Sequence, residues 1–127
     1  MICAINMLLP FKHLTSTKQL TRDDTDAILK VSKEMEEVLK KGGDDRLAGK
    51  ILACLFYEPS TRTRLSFESA MHRLGGDVLS AVGFQFSSLY KGETIEDTIT
   101  VMNEYADIIT MRHPEGGSAD KAASVSE

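Results

Sequence analysis

Residues 50–76 read KILACLFYEPSTRTRLSFESAMHRLGG. The first part, Lys50–Tyr57, is a short and nearly continuous apolar run between Gly49 and Pro59. A run of that length with that punctuation predicts a strand covered on both faces. The second part, from Thr61 to Leu74, puts Phe67, Ala70, Met71 and Leu74 on one helical stripe, and Gly75-Gly76 ends the pattern. A doubly buried strand running straight into a helix is the unit of a parallel α/β sheet.

The flanking sequence repeats the alternation. Thr21 reads as a helix N-cap, with Asp23 and Asp24 in the first turn. Ile28, Val31, Met35 and Val38 follow at helical spacing, and Lys40-Lys41-Gly42-Gly43 closes a first helix over about 22–41. Beyond the quoted stretch, 77–84 reads as a second strand and 85–93 as a polar, glycine-containing loop. Thr94 with Asp97 resembles a capping box, and Ile95, Ile99, Met102 and Tyr105 or Ala106 continue a third helix. Residues 107–112 form a third strand candidate, HPEGG a break, and 118–127 a weak helix. The expected architecture is a parallel sheet with helices on both faces, a three-layer α/β/α domain spanning 1–127, with right-handed crossovers. The pattern stops after a helix start with no further strand, so a fragment of a longer, two-domain chain is the expectation.

Composition narrows the partners. Of 127 residues, 42% are hydrophobic and 27% charged, and the formal net charge is −4. That balance suits one globular domain and excludes general nucleic-acid or membrane-surface binding. Any anion site is then a local concentration of positive charge. Cys3 and Cys54 have no metal or redox spacing, and Cys54, within the apolar run, reads as a buried free thiol. The stretch MICAINMLLPFKHL lacks the basic flank and small-residue cleavage site of a signal peptide, and a cytoplasmic, reducing compartment is the default.

In open parallel sheets, ligands bind outside the carboxyl ends of the strands. The first strand delivers Ser60–Arg64 to that edge, the second the loop with Ser87, Ser88 and Lys91, and the third Arg112 and His113. Unpaired amides at a helix N-terminus, the hydroxyls of Ser60, Thr61 and Thr63, and the Arg62 fork together suit a phosphate. Arg62 and Arg64 lie about 200° apart around a helix, so Arg62 is assigned to the anion and Arg64 to an acidic neighbour or a subunit contact. His113 precedes a proline and is read as a packing residue. The bland alternative is a capped helix with exposed arginines, a solvated loop lysine and a surface arginine. No GxxxxGK[ST] or GxGxxG pattern supports a nucleotide loop.

Three blocks, FYEPSTRTRLSFESAMHRLGG, SSLYKGETIEDT and ADIITMRHP, resemble the amino-terminal half of the aspartate carbamoyltransferases, within the aspartate/ornithine carbamoyltransferase family. STRTR is shared by both branches, whereas KGET with a later RHP is closer to the aspartate branch. The resemblance runs from about Phe11 to Glu127. It implies a carbamoyl-phosphate domain in which Ser60, Thr61, Arg62 and Thr63 bind the phosphate. Thr63 and Arg112 then reach the carbonyl oxygen, while Ser87 and Lys91 enter the active site of a neighbouring subunit. It implies a homotrimer of catalytic chains, with regulatory chains in some members, and neither metal nor organic cofactor. It further implies transfer of the carbamoyl group from carbamoyl phosphate to L-aspartate in pyrimidine synthesis. Tyr90 stands where some relatives have a second lysine. The family's later HPTQ segment and aspartate-binding domain are not among these residues, so the chain alone is expected to be inactive. The alternatives left open are an ornithine or related carbamoyltransferase and a non-catalytic homologue.

Overall fold

The computed structural model of the protein describes residues 9–83 and 91–127. The chain forms a short 3-10 turn, Thr17–Gln19, followed by α1 (Arg22–Lys40), β1 (Ile51–Phe56), α2 (Thr61–Arg73), β2 (Asp77–Val82), α3 (Ile95–Asn103), β3 (Ile108–Arg112) and α4 (Ser118–Val125). The three strands make one sheet in the order β2-β1-β3, with both neighbours parallel to β1. The predicted alternation is therefore the observed one. The differences are local: α3 stops at Asn103 rather than running to residue 105 or 106, and the turn at 17–19 has no hydrophobic period to announce it.

β1 occupies the centre, which is why its sequence is apolar at every position. Five of its six residues are buried. Successive side chains of a strand point to opposite faces, and β1 divides accordingly. Leu52, Cys54 and Phe56 pack with Met71 of α2 on one face. Leu55 and the following Tyr57 pack with Ile95 and Ile99 of α3 and Ala122 of α4 on the other. The sheet is thus covered by helices on both sides, as the doubly buried reading of β1 required.

Helix starts follow the local chemistry. Thr21 and Thr94 each accept a hydrogen bond from the backbone of the residue three on, and Asp24 and Asp97 answer to the cap backbone, closing two capping boxes. These bonds hold both carboxyls below their usual pKa. The expected stripe of α1 is present at Val31, Met35 and Val38, which are half-buried, but Ile28 is exposed and the helix contributes no fully buried residue. After α1 the chain reverses through Gly43, whose φ is +118° and whose absent Cβ would meet the Arg73 carbonyl oxygen at 2.2 Å. Only glycine fits there.

At the amino edge of the sheet, Asp107 joins β3 to β1. Its Oδ1 lies 2.6 Å from Lys50 Nζ, and its Oδ2 accepts from the Ile51 amide at 2.9 Å. Cys54 is fully buried and unpaired, as expected. Burial raises the pKa of its thiol, and the Thr110 hydroxyl 3.3 Å from its sulfur partly opposes that shift. No helix of the described residues is long and apolar enough to cross a membrane.

Candidate anion site at the carboxyl edge of the sheet

The register decides which side chains meet. Phe56, the last residue of β1, is level with Val82 of β2 and Arg112 of β3. The chain that leaves β1 and the side chain that ends β3 therefore emerge on one rim. The amide of Tyr57 donates to the Arg112 carbonyl at 2.9 Å and carries the pairing one residue further.

Ser60 is the N-cap residue of α2, yet its side chain makes no cap hydrogen bond. Its Oγ accepts instead from Arg112 Nη1 at 3.0 Å. α2 therefore differs from α1 and α3, whose first turns are closed by threonine and aspartate. A helix of 13 residues is left with first-turn amides that no side chain caps. These amides, the positive end of the helix dipole and the Arg112 guanidinium stand together, an arrangement that attracts an anion.

Arg112 also donates through Nε to Glu58 Oε1. Glu58 is a site member that reading the sequence missed. Its only signal was its place between a buried strand and the cationic turn. Thr63 and Arg112 both line an open cleft of about 720 Å³ that follows β3 from Asp107 to Arg112 and reaches Phe67 of α2 and Ala122 of α4. Lys12 and His13 reach the same cleft from the chain's amino-terminal segment; nothing in their local sequence marks them. Thr61, Arg62 and Thr63 are exposed on the first turn of α2. The Arg62 side chain makes no hydrogen bond or ion pair among the described residues, which leaves its fork available. Arg64 points elsewhere: its Nη1 pairs with Glu68 Oε1 at 2.9 Å, the acidic neighbour expected of it.

His113 packs. Its ring meets Tyr57 edge-on, with centroids 5.2 Å apart. Its Nδ1 accepts from the Glu115 amide at 3.1 Å and lies 2.9 Å from the Oγ of Ser118, which is 2% exposed. A nitrogen that accepts a backbone N–H carries no proton, so the ring proton sits on Nε2. Burial raises the pKa of the Tyr57 hydroxyl.

Ser87 and Ser88 lie outside the described residues. Lys91 is exposed, three residues before the cap residue Thr94 of α3, and does not line the cleft that Thr63 and Arg112 share. The structure thus joins Ser60 and Arg112 directly and places Thr63 on a common surface with Arg112, while Ser60, Thr61, Arg62 and Lys91 do not line that cleft. Among the described residues, no three His, Cys, Asp or Glu side chains gather as a metal site.

Residues 12–127 match the family model described as aspartate/ornithine carbamoyltransferase, carbamoyl-P binding domain. The aspartate carbamoyltransferase catalytic subunit of Methanopyrus kandleri is 51% identical over 116 residues, and that of Methanococcus vannielii is 53% identical over the same length. Each alignment takes in 91% of this chain but 38% of the relative. The catalytic subunit of M. jannaschii aspartate transcarbamoylase superposes with a TM-score of 0.86 at 49% identity, over 92% of this chain and 40% of that one. The Trypanosoma cruzi aspartate transcarbamoylase, solved with carbamoyl phosphate and aspartate, superposes with a TM-score of 0.82 at 38% identity, over 91% of this chain and 38% of that one.

Proposed function

Because the chain belongs to the aspartate/ornithine carbamoyltransferase family, we propose that its 127 residues form the carbamoyl-phosphate-binding domain of an aspartate carbamoyltransferase catalytic chain. The chain spans 38% of the length of the curated relatives it matches. The aspartate side of the reaction is assigned to the length of those relatives that it does not cover.

The reaction is attack of the aspartate amine on the carbonyl carbon of carbamoyl phosphate. A tetrahedral oxyanion forms, the bond to the phosphate oxygen breaks, the departing phosphate takes up the proton the amine gives up, and N-carbamoyl-L-aspartate and phosphate leave. Negative charge is spread over the phosphate throughout and develops on the carbonyl oxygen in the transition state. Fixed donors aimed at those oxygens lower the barrier without reorganising during the reaction.

Arg62, the hydroxyls of Ser60, Thr61 and Thr63, and the free amides of the first turn of α2 take the phosphate. Arg112 and Thr63, which line a common cleft, take the carbonyl oxygen. Ser87 and Lys91 serve a neighbouring subunit of a homotrimer. Regulatory chains are compatible with this arrangement, and the pyrimidine pathway of a cytoplasmic enzyme is the assigned setting. No metal or organic cofactor enters the chemistry.

The observation that carries the proposal is the 3.0 Å contact between Arg112 Nη1 and Ser60 Oγ, which puts a strand-end guanidinium against an uncapped helix N-terminus. The test is a carbamoyl-transfer assay on the full-length protein with labelled carbamoyl phosphate, comparing L-aspartate and L-ornithine. Labelled carbamoyl-aspartate is expected. Preference for ornithine overturns the branch assignment, and transfer to neither overturns the enzymatic reading.

A further inference from the structure

Arg64 points away from the Ser60–Arg112 rim, and its ion pair is the most enclosed among the described residues, with 26% of the arginine and 15% of the Glu68 side chain exposed. Glu68 Oε1 accepts from Arg64 Nη1 at 2.9 Å and from Ser80 Oγ at 2.6 Å. The same guanidinium nitrogen lies 3.5 Å from Ser80 Oγ. Ser80 belongs to β2, level with Cys54 of the central strand. Three polar groups therefore tie α2 to the middle of β2.

This tie bears on how α2 is rolled about its own axis. Apolar packing restrains that rotation weakly, because Met71 is the one fully buried residue of α2, and Leu65 and Phe67 remain 47% and 45% exposed. Consecutive helical residues stand about 100° apart. When Arg64 and Glu68 face β2, Thr63 and Phe67 turn to the adjacent flank, toward β3, where both line the cleft with Arg112. Arg62 then lies about 200° from Arg64. A roll of α2 that released Arg64 from β2 would swing Thr63 away from Arg112.

We propose that Arg64 is a positioning residue of the anion site: with Glu68 and Ser80 it locks the roll of α2 on β2 and so aims the hydroxyl of Thr63 at the rim it shares with Arg112. The proposal rests on reading that rim as the carbamoyl-phosphate site. It explains why two arginines two positions apart on one helix both serve the site, one by touching the ligand and one by holding the helix.

The test uses the full-length protein, with inorganic phosphate as the probe in calorimetry and carbamoyl phosphate in steady-state kinetics. Arg64→Met keeps the length of the side chain and removes its charge and donors. It is expected to weaken phosphate binding and raise the KM for carbamoyl phosphate about tenfold, less than the roughly hundredfold that a misplacement of about 1 Å can cost. Arg64→Lys still reaches Glu68 one turn on and stays within about threefold of the parent. In a double-mutant cycle, Arg64→Met adds nothing to the loss caused by Glu68→Ala, because both break the same tie. A merely structural role would lower Tm and leave the phosphate affinity of the folded protein unchanged, and that result overturns the proposal. Should Arg64→Met fail to fold, Ser80→Ala removes one corner of the triangle, and unchanged phosphate affinity there overturns it equally. Failure of the unmutated protein to bind phosphate defeats the reading of the site itself, and shows in the parent rather than in the variants.

Discussion

The guanidinium of Arg112 is shared between Glu58 and Ser60: Nε donates to the carboxylate and Nη1 to the hydroxyl, the latter at 3.0 Å. The two partners lie on the short segment that leaves β1, and the arginine closes β3. One cation thus braces the turn that leads into α2. Its carboxylate partner holds the fork in place.

Arg112→Ala in the full-length protein is expected to lower kcat/KM by about 10²–10³, the usual cost of one oxyanion donor. Arg112→Lys is expected to recover little, because a single ammonium cannot serve Glu58, Ser60 and a ligand oxygen as a planar fork does. Steady-state kinetics with carbamoyl phosphate varied measures both, and a loss under threefold in the alanine variant removes Arg112 from the site.

Arg62 and Arg64 are predicted to behave differently. Arg62→Ala removes an exposed fork on the first turn of α2 and should cost about a hundredfold or more in kcat/KM. Arg64→Lys preserves an ion pair with Glu68 and should leave the rate within about threefold. Equal losses in the same assay would show that both arginines face the ligand.

The Asp107 carboxyl is held below its usual pKa, first by Lys50 and then by the Ile51 amide. A depressed folded-state pKa stabilises the protein above the ordinary carboxylate value near 3.9, and the contribution disappears as pH falls through the lowered value. The partners are 44% and 35% exposed, so solvent screening limits the pair to about 0.5–1 kcal/mol. Asp107→Asn should therefore lower stability at pH 7 and converge with the parent at strongly acid pH. Urea titrations at both pH values measure the difference, and a constant gap across pH contradicts it.

Cys54 has no exposed surface and a thiol that burial makes harder to ionise. Thiolate, not thiol, reacts with alkylating reagents. Iodoacetamide should modify Cys54 at the rate of unfolding and rapidly in denaturant. Mass spectrometry of the peptide that carries it decides, and fast labelling of the native protein contradicts the packing of β1.

Ile99 is 1% exposed between β1 and α4, whereas Ile28 on α1 is 37% exposed. Ile99→Ala should cost about 2–5 kcal/mol and Ile28→Ala far less. Chemical denaturation ranks them, and similar losses would mean that the apolar stripe of α1 is buried in solution.

The apolar run at 50–57 revealed the centre of the sheet because every side chain of a strand covered on both faces must be apolar, and threonine-to-aspartate spacings revealed the starts of α1 and α3 because their partners lie within one turn. The same locality explains what stayed hidden. Glu58 carries no periodic signal, and Lys12 and His13 reach the cleft from more than forty residues before Thr63, which lines it too. Ser60 looked like an ordinary cap, and nothing nearby in the chain shows that its hydroxyl is taken by a residue 52 positions away.

Local chemistry within the sequence by itself determined where strands and helices begin, that the central strand is covered twice, and that three polar segments follow strand ends. Only the tertiary structure decided that Phe56 is level with Arg112, that the guanidinium takes the Ser60 hydroxyl from its capping role, and that α2 is rolled with Arg64 toward β2 and Thr63 toward the cleft. The reason is range: capping and periodicity act within one turn, whereas strand register and helix roll depend on side chains that meet only after the sheet has formed.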